Sequence, residues 1–96
     1  MSTDRAILIT GCSSGIGYTC AIRLQQRGYR VFATARKPSD LARLAAQGLE
    51  TLYLDYAEPV SIDHCVSEIS KRTGGKLYGL FNNGAYAEYI RIPARI

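Results

Sequence analysis

Ninety-six residues leave room for one domain with a modest core. A composition that is 47% hydrophobic and 21% charged is that of an ordinary globular chain, and no apolar run nears the ~20 residues of a membrane span. The formal charge of +4 does not argue for a nucleic-acid partner, because the basic residues are spread from Arg5 to Arg95 among acidic ones without an aromatic-interleaved cluster.

The apolar run Ala6-Ile7-Leu8-Ile9 reads, with Thr10, as a first strand. A helix is predicted over residues 15–27, with Ile16, Cys20, Ala21, Ile22 and Leu24 forming its apolar stripe and Gly28 a left-handed stop. Residues 30–35 read as strand two. Pro38-Ser39-Asp40 opens a second helix over 41–47, closed by Gly48. Strand three is expected at 49–54 and a turn at 55–59. A third amphipathic helix follows over 60–72, carried by Val60, Ile62, Cys65, Val66 and Ile69. Thr73-Gly74-Gly75 breaks it, and residues 77–81 make strand four.

The alternation β-α-β-α-β-α-β with mainly apolar strands argues an α/β fold, a parallel sheet covered by helices. Right-handed crossovers give the expected strand order 3-2-1-4, an incomplete doubly wound sheet of Rossmann type. No internal repeat, low-complexity segment or linker divides it. The expected organisation is one α/β module over residues 1–85 and an irregular tail over 86–96, where Pro93 would interrupt a helix.

The turn between the first strand and the first helix carries the chemistry. It reads Thr10-Gly11-Cys12-Ser13-Ser14-Gly15-Ile16-Gly17, with glycines at a G-x-x-x-G-x-G spacing. The N–H groups of a helix's first turn, with the partial positive charge of its dipole, hold phosphate. Glycine lets a pyrophosphate approach the backbone where a Cβ would stand in the way. Placed inside a β-α-β unit, this string is a strong signal for a dinucleotide. Ser13 and Ser14 offer hydroxyls either to phosphate or ribose or to the turn and helix cap.

Strand two ends Thr34-Ala35-Arg36-Lys37, with no acid before Asp40. A site that prefers NAD places an acid there for the ribose 2′-hydroxyl. The guanidinium fork of Arg36 and the point charge of Lys37 instead suit the 2′-phosphate of NADP, unless both are simply solvated. Asp40 reads as a helix N-terminal residue.

With these residues in view, the chain resembles the short-chain dehydrogenases/reductases. The residues from Thr10 to Gly17 match that family's cofactor fingerprint at its fixed positions. Leu54-Asp55 after strand three resembles the pair that contacts adenine, although Tyr56 stands where the family usually has a smaller aliphatic residue. Asn82-Asn83-Gly84-Ala85 is similar to the family's Asn-Asn-Ala-Gly with its last two residues exchanged. The resemblance implies cofactor contacts at Gly11, Ser13, Ser14, Gly15, Ile16 and Gly17 for the phosphates, and at Asp55 and Tyr56 for the adenine. It also implies that Asn82 and Gly84 lie along the ribose and nicotinamide side, and that Asn83 ties the central strands together. The expected cofactor is NADP rather than NAD, in hydride transfer to or from a carbonyl or alcohol substrate.

That chemistry needs a proton donor, in this family a tyrosine with a lysine four residues on and a serine upstream. None of the seven tyrosines (Tyr18, Tyr29, Tyr53, Tyr56, Tyr78, Tyr86, Tyr89) has lysine at that spacing. The expectation is therefore a cofactor-binding portion, inactive alone, from an incomplete or frame-shifted reading frame. A non-catalytic NADP(H) sensor and a strand-pairing interaction module are the alternatives. A P-loop nucleotidase lacks the lysine its turn requires. With residues 77–81 at a sheet edge, self-association is expected. Cys12, Cys20 and Cys65 form no metal spacing, since Cys65 merely follows His64, and read as reduced thiols. No signal or transit pattern opens the chain, so a cytoplasmic protein without membrane or nucleic-acid partners is expected.

Overall fold

In a computed structural model, which describes residues 5–83, four parallel strands line up in the order β3-β2-β1-β4. They are β1 (Ala6–Ile9), β2 (Arg30–Ala35), β3 (Glu50–Tyr53) and β4 (Gly79–Phe81), joined by α1 (Gly15–Gln26), α2 (Pro38–Ala46) and α3 (Pro59–Thr73). The order is the one expected from right-handed crossovers. Proline opens α2 and α3, where its missing N–H is no loss, and Gly74 closes α3 in the left-handed region at φ 69°. Gly28 and Gly48 end α1 and α2 in the same region, at φ 96° and 89°.

Strand alternation sorts the core into two layers. Ile7, Ile9, Val31, Ala33 and Ala35 face Ala21 of α1 and Leu44 of α2. Ala6, Phe32 and Leu52 face Cys65 and Ile69 of α3 on the opposite side. Phe32 is fully buried there, worth about 2–3 kcal/mol in apolar transfer. The rim of that layer is polar. Arg30 reaches over the Phe32 ring, pairs with Glu50 through both Nε and Nη2, and donates from Nη1 to the Arg72 carbonyl, so that β2, β3 and α3 meet at one guanidinium.

Three readings of the sequence shift. Helix α2 begins at Pro38 rather than after Asp40, because proline is accommodated at the first helical position. Ile16 does not join the buried stripe of α1. It sits at the solvent-facing start of the helix, while the side-chain-free Gly17 and Ala21 take the sheet contact. In α3 the buried positions are Ser61, Cys65 and Ile69, one turn apart. Val60, Ile62 and Val66 fall on the flanks and are exposed.

β4 is shorter than expected, Gly79–Phe81, and pairs only with β1 among the described residues. Leu80 stands beside Leu8 in the register yet is 60% exposed. Gly84 and the expected tail over 86–96 lie outside the described residues.

Candidate functional site

The described residues singled out for the cofactor lie after the C-terminal ends of the strands, where contacts join Thr10, Tyr56 and Asn82 and tie Asn83 to the glycine turn. The turn after β1 is folded inward by its own polar groups. Gly11 N–H donates to Thr34 Oγ1 at 3.3 Å, Cys12 N–H to the Thr34 carbonyl at 2.9 Å, and the Cys12 thiol to the Ile9 carbonyl at 3.1 Å. Burial pushes that thiol up to about 11, so Cys12 stays neutral and adds no negative charge to the turn.

The three glycines serve different ends. Gly11 and Gly15 both adopt φ +67°, a region that only glycine enters without strain. A Cβ built on Gly15 meets nothing within 4 Å, so this glycine keeps a space open above the backbone. A Cβ on Gly17 would lie 2.4 Å from the Gly11 carbonyl oxygen and 2.5 Å from Asn83 Nδ2. Here glycine is needed for close approach between helix and strand ends.

Helix α1 opens at Ser14 in extended conformation. No side chain caps it, and no acid lies in its first turn. Its first N–H groups and its dipole are thus directed at the space that Gly15 leaves open. Ser14 therefore does not act as a side-chain cap, which removes the capping part of one reading of its hydroxyl. The arrangement fits a pyrophosphate: a helix N-terminus, left-handed glycines and a cradle that a Cβ would fill.

Arg36 and Lys37 are exposed directly after β2, and neither forms an ion pair with an acid among the described residues. Asp40 lies in the first turn of α2, as expected, and pairs with Arg43. Asp55 closes the turn after β3 by accepting from Ala57 N–H at 2.9 Å. At the end of β4, Asn83 Nδ2 donates to the Gly11 carbonyl at 3.1 Å, tying β4 to the glycine turn across 72 residues of sequence. This is the strand tie that the resemblance implies for Asn83.

Three supporting residues escaped sequence reasoning. Thr34, fully buried at the end of β2, organises the turn through both its hydroxyl and its carbonyl. Ser61 sits in the first turn of α3, where it looked like one more helix residue. Its hydroxyl accepts from Asp55 N–H at 3.0 Å and meets the Asp55 carbonyl at 2.9 Å, fixing that turn. Arg43 donates from Nη2 to the Ser13 carbonyl at 2.5 Å and lies over the Tyr18 ring, joining α2 to the glycine turn. The signal that could have found Arg43 is its position one turn beyond Asp40 on a helix that starts beside the site.

Comparison with known proteins agrees with this geometry. The family model for short chain dehydrogenase matches residues 5–93. The chain belongs to the short chain dehydrogenase family. An uncharacterized oxidoreductase, YbbO of Escherichia coli strain K12, is 40% identical over 86 residues, covering 90% of this chain and 32% of its own length. The NADPH-dependent 1-acyldihydroxyacetone phosphate reductase of Schizosaccharomyces pombe is 40% identical over 84 residues, 86% of this chain and 28% of that protein. Among solved structures, actinorhodin polyketide ketoreductase with NADPH superposes with a TM-score of 0.75 at 31% identity, over 90% of this chain and 36% of that one. The short chain dehydrogenase chain described here thus spans about a third of the length of the relatives it matches. No helix among the described residues is long and apolar enough to cross a membrane.

Proposed function

We propose that this chain is the cofactor-binding part of an NADP-preferring short chain dehydrogenase, acting in hydride transfer between NADP(H) and a carbonyl or alcohol substrate. The observation that carries the preference is the end of β2. Arg36 and Lys37 stand exposed there, beside the glycine turn, with no acid to receive a ribose 2′-hydroxyl. In this reading Gly11, Ser13, Ser14, Gly15, Ile16 and Gly17 surround the pyrophosphate, Arg36 and Lys37 hold the 2′-phosphate, and Asp55 and Tyr56 lie at the adenine. Asn82 and Gly84 follow the ribose toward the nicotinamide. The relative described as NADPH-dependent and the ketoreductase solved with NADPH support the same cofactor.

When bound, NADPH supplies the hydride. This chain's residues bind and orient it, whereas the tyrosine and lysine that would handle the proton are not at their spacing in this sequence.

Arg36→Asp tests the preference. Losing charge-assisted hydrogen bonds to a phosphate costs about 1.5–3 kcal/mol, roughly 10- to 100-fold in affinity. Titration followed by NADPH fluorescence should show that loss, with NADH binding unchanged or improved. An unaltered NADPH to NADH ratio rejects the 2′-phosphate role.

β4 supports a second property, self-association. Its outer edge carries no partner strand among the described residues, and Leu80 is exposed beside it. Size-exclusion chromatography at micromolar concentration should give species larger than 10.5 kDa, and Leu80→Lys should shift them toward monomer. A monomer that melts cooperatively without the substitution contradicts this.

A further inference from the structure

Tyr56 departs from the aliphatic residue usual at its position, and its hydroxyl makes contacts that an aliphatic side chain cannot. β3 and β4 are the outer strands of the described sheet, three strand spacings or about 14 Å apart. The chain after β3 and the Tyr56 side chain together bridge that distance. Its O–H donates to Asn82 Oδ1, just past β4, at 2.6 Å, and lies 3.0 Å from Thr10 Oγ1 at the end of β1. Thr10 Oγ1 in turn lies 3.1 Å from Asn82 Oδ1. Three strand ends therefore meet in one hydroxyl-amide cluster beside the glycine turn.

The consequence falls on Asn82, whose side chain is solvent-exposed and would otherwise rotate. Two hydroxyl protons converge on Oδ1, and a carboxamide is planar, so fixing its oxygen also fixes its nitrogen. Nδ2, a two-proton donor, is turned away from the cluster. The geometry points to Tyr56 as a positioning residue: acting through Asn82, it orients an amide donor toward the adenosine ribose of the dinucleotide, from which the cofactor runs on toward the nicotinamide. This rests on the cofactor reading above. It differs from a direct adenine contact by Tyr56, because the hydroxyl is spent within the protein. A donor held in place before binding costs less ordering when the ligand arrives.

The test uses the full 96-residue chain with two probes, NADPH and adenosine 2′,5′-bisphosphate, and two variants, Tyr56→Phe and Asn82→Ala, singly and combined. Tyr56→Phe removes one oxygen from a half-buried loop residue, and circular dichroism should match the unsubstituted chain. Loss of one hydrogen bond should weaken both probes by the same factor, about fivefold. Asn82→Ala should weaken both at least as much. In its background Tyr56→Phe should have no further effect, since both substitutions remove one unit. A purely structural role would lower the melting midpoint without this non-additivity. Unchanged affinity in either single variant, or a Tyr56→Phe loss that persists undiminished beside Asn82→Ala, overturns the inference. If the unsubstituted chain binds neither probe, the cofactor reading itself fails and this inference with it. Binding by the unsubstituted chain, with Tyr56→Phe unaffected, removes the inference alone.

Discussion

Gly17→Ala should destabilise the folded chain by about 3 kcal/mol, the upper part of the range for forcing extra carbon into a packed site. Two contacts set that expectation. The added methyl would sit 2.4 Å from the Gly11 carbonyl oxygen and 2.5 Å from Asn83 Nδ2. The first is backbone, held in the inward-folded turn by Thr34, and cannot step aside cheaply. The second is the amide that ties β4 to the turn. Relief therefore requires α1 to move off the sheet or the Asn83 bond to break. For a domain of this size, about 3 kcal/mol corresponds to a fall of roughly 12–24 °C in melting midpoint. Gly74→Ala is the control. Gly74 differs from the helical Gly17 in having a positive φ of 69°, and a Cβ there meets nothing within 4 Å. It should cost about 1 kcal/mol from backbone strain alone. Thermal denaturation of the two variants side by side decides the matter: equal losses would mean that Gly17 is not a packing glycine.

This contrast marks where sequence reasoning succeeds. Spacing identified the turn between β1 and α1, because a strand-glycine-helix junction leaves a pattern within ten residues. The strand order followed from the handedness of parallel crossovers, a property of any such chain. The Asn83 tie was implied by family resemblance and is present at 3.1 Å. What periodicity could not assign was which flank of each helix the fold covers. Val60, Ile62 and Val66 share the apolar character of Cys65 and Ile69, yet only the latter two meet Phe32 and Leu52. A helical repeat reports a stripe, whereas the neighbours that bury it are set by the sheet's order and twist.

Side-chain contacts beyond a single element were equally out of reach. Arg43 to Ser13, Ser61 to Asp55 and Tyr56 to Asn82 each depend on a side chain's length and direction in the assembled molecule. These same contacts hold the site in shape. The glycine turn and the Asn83 tie were therefore legible, and the side chains of Thr34, Arg43 and Ser61 that brace the turns around them were not.

Gly15→Val should abolish dinucleotide binding while leaving the chain folded. Gly15 shares φ +67° with Gly11, and an L-residue held there pays about 1–2 kcal/mol. That strain appears as reduced stability. It does not by itself lower affinity, because the same strained backbone is present with and without ligand. Affinity falls for a different reason. A Cβ on Gly15 enters a space with no protein atom within 4 Å, at the uncapped start of α1 where first-turn N–H groups would meet a pyrophosphate. Filling that space denies at least two charge-assisted hydrogen bonds, each worth about 1.5–3 kcal/mol, so NADPH affinity should drop at least about 100-fold. Gly15→Ala, with one methyl instead of an isopropyl group, should fold better and still bind weakly. The two glycines of one turn thus separate: Gly17→Ala is read mainly in the melting curve, and Gly15→Val mainly in the titration. NADPH affinity within about threefold of the unsubstituted chain would mean that the phosphates do not pass over Gly15.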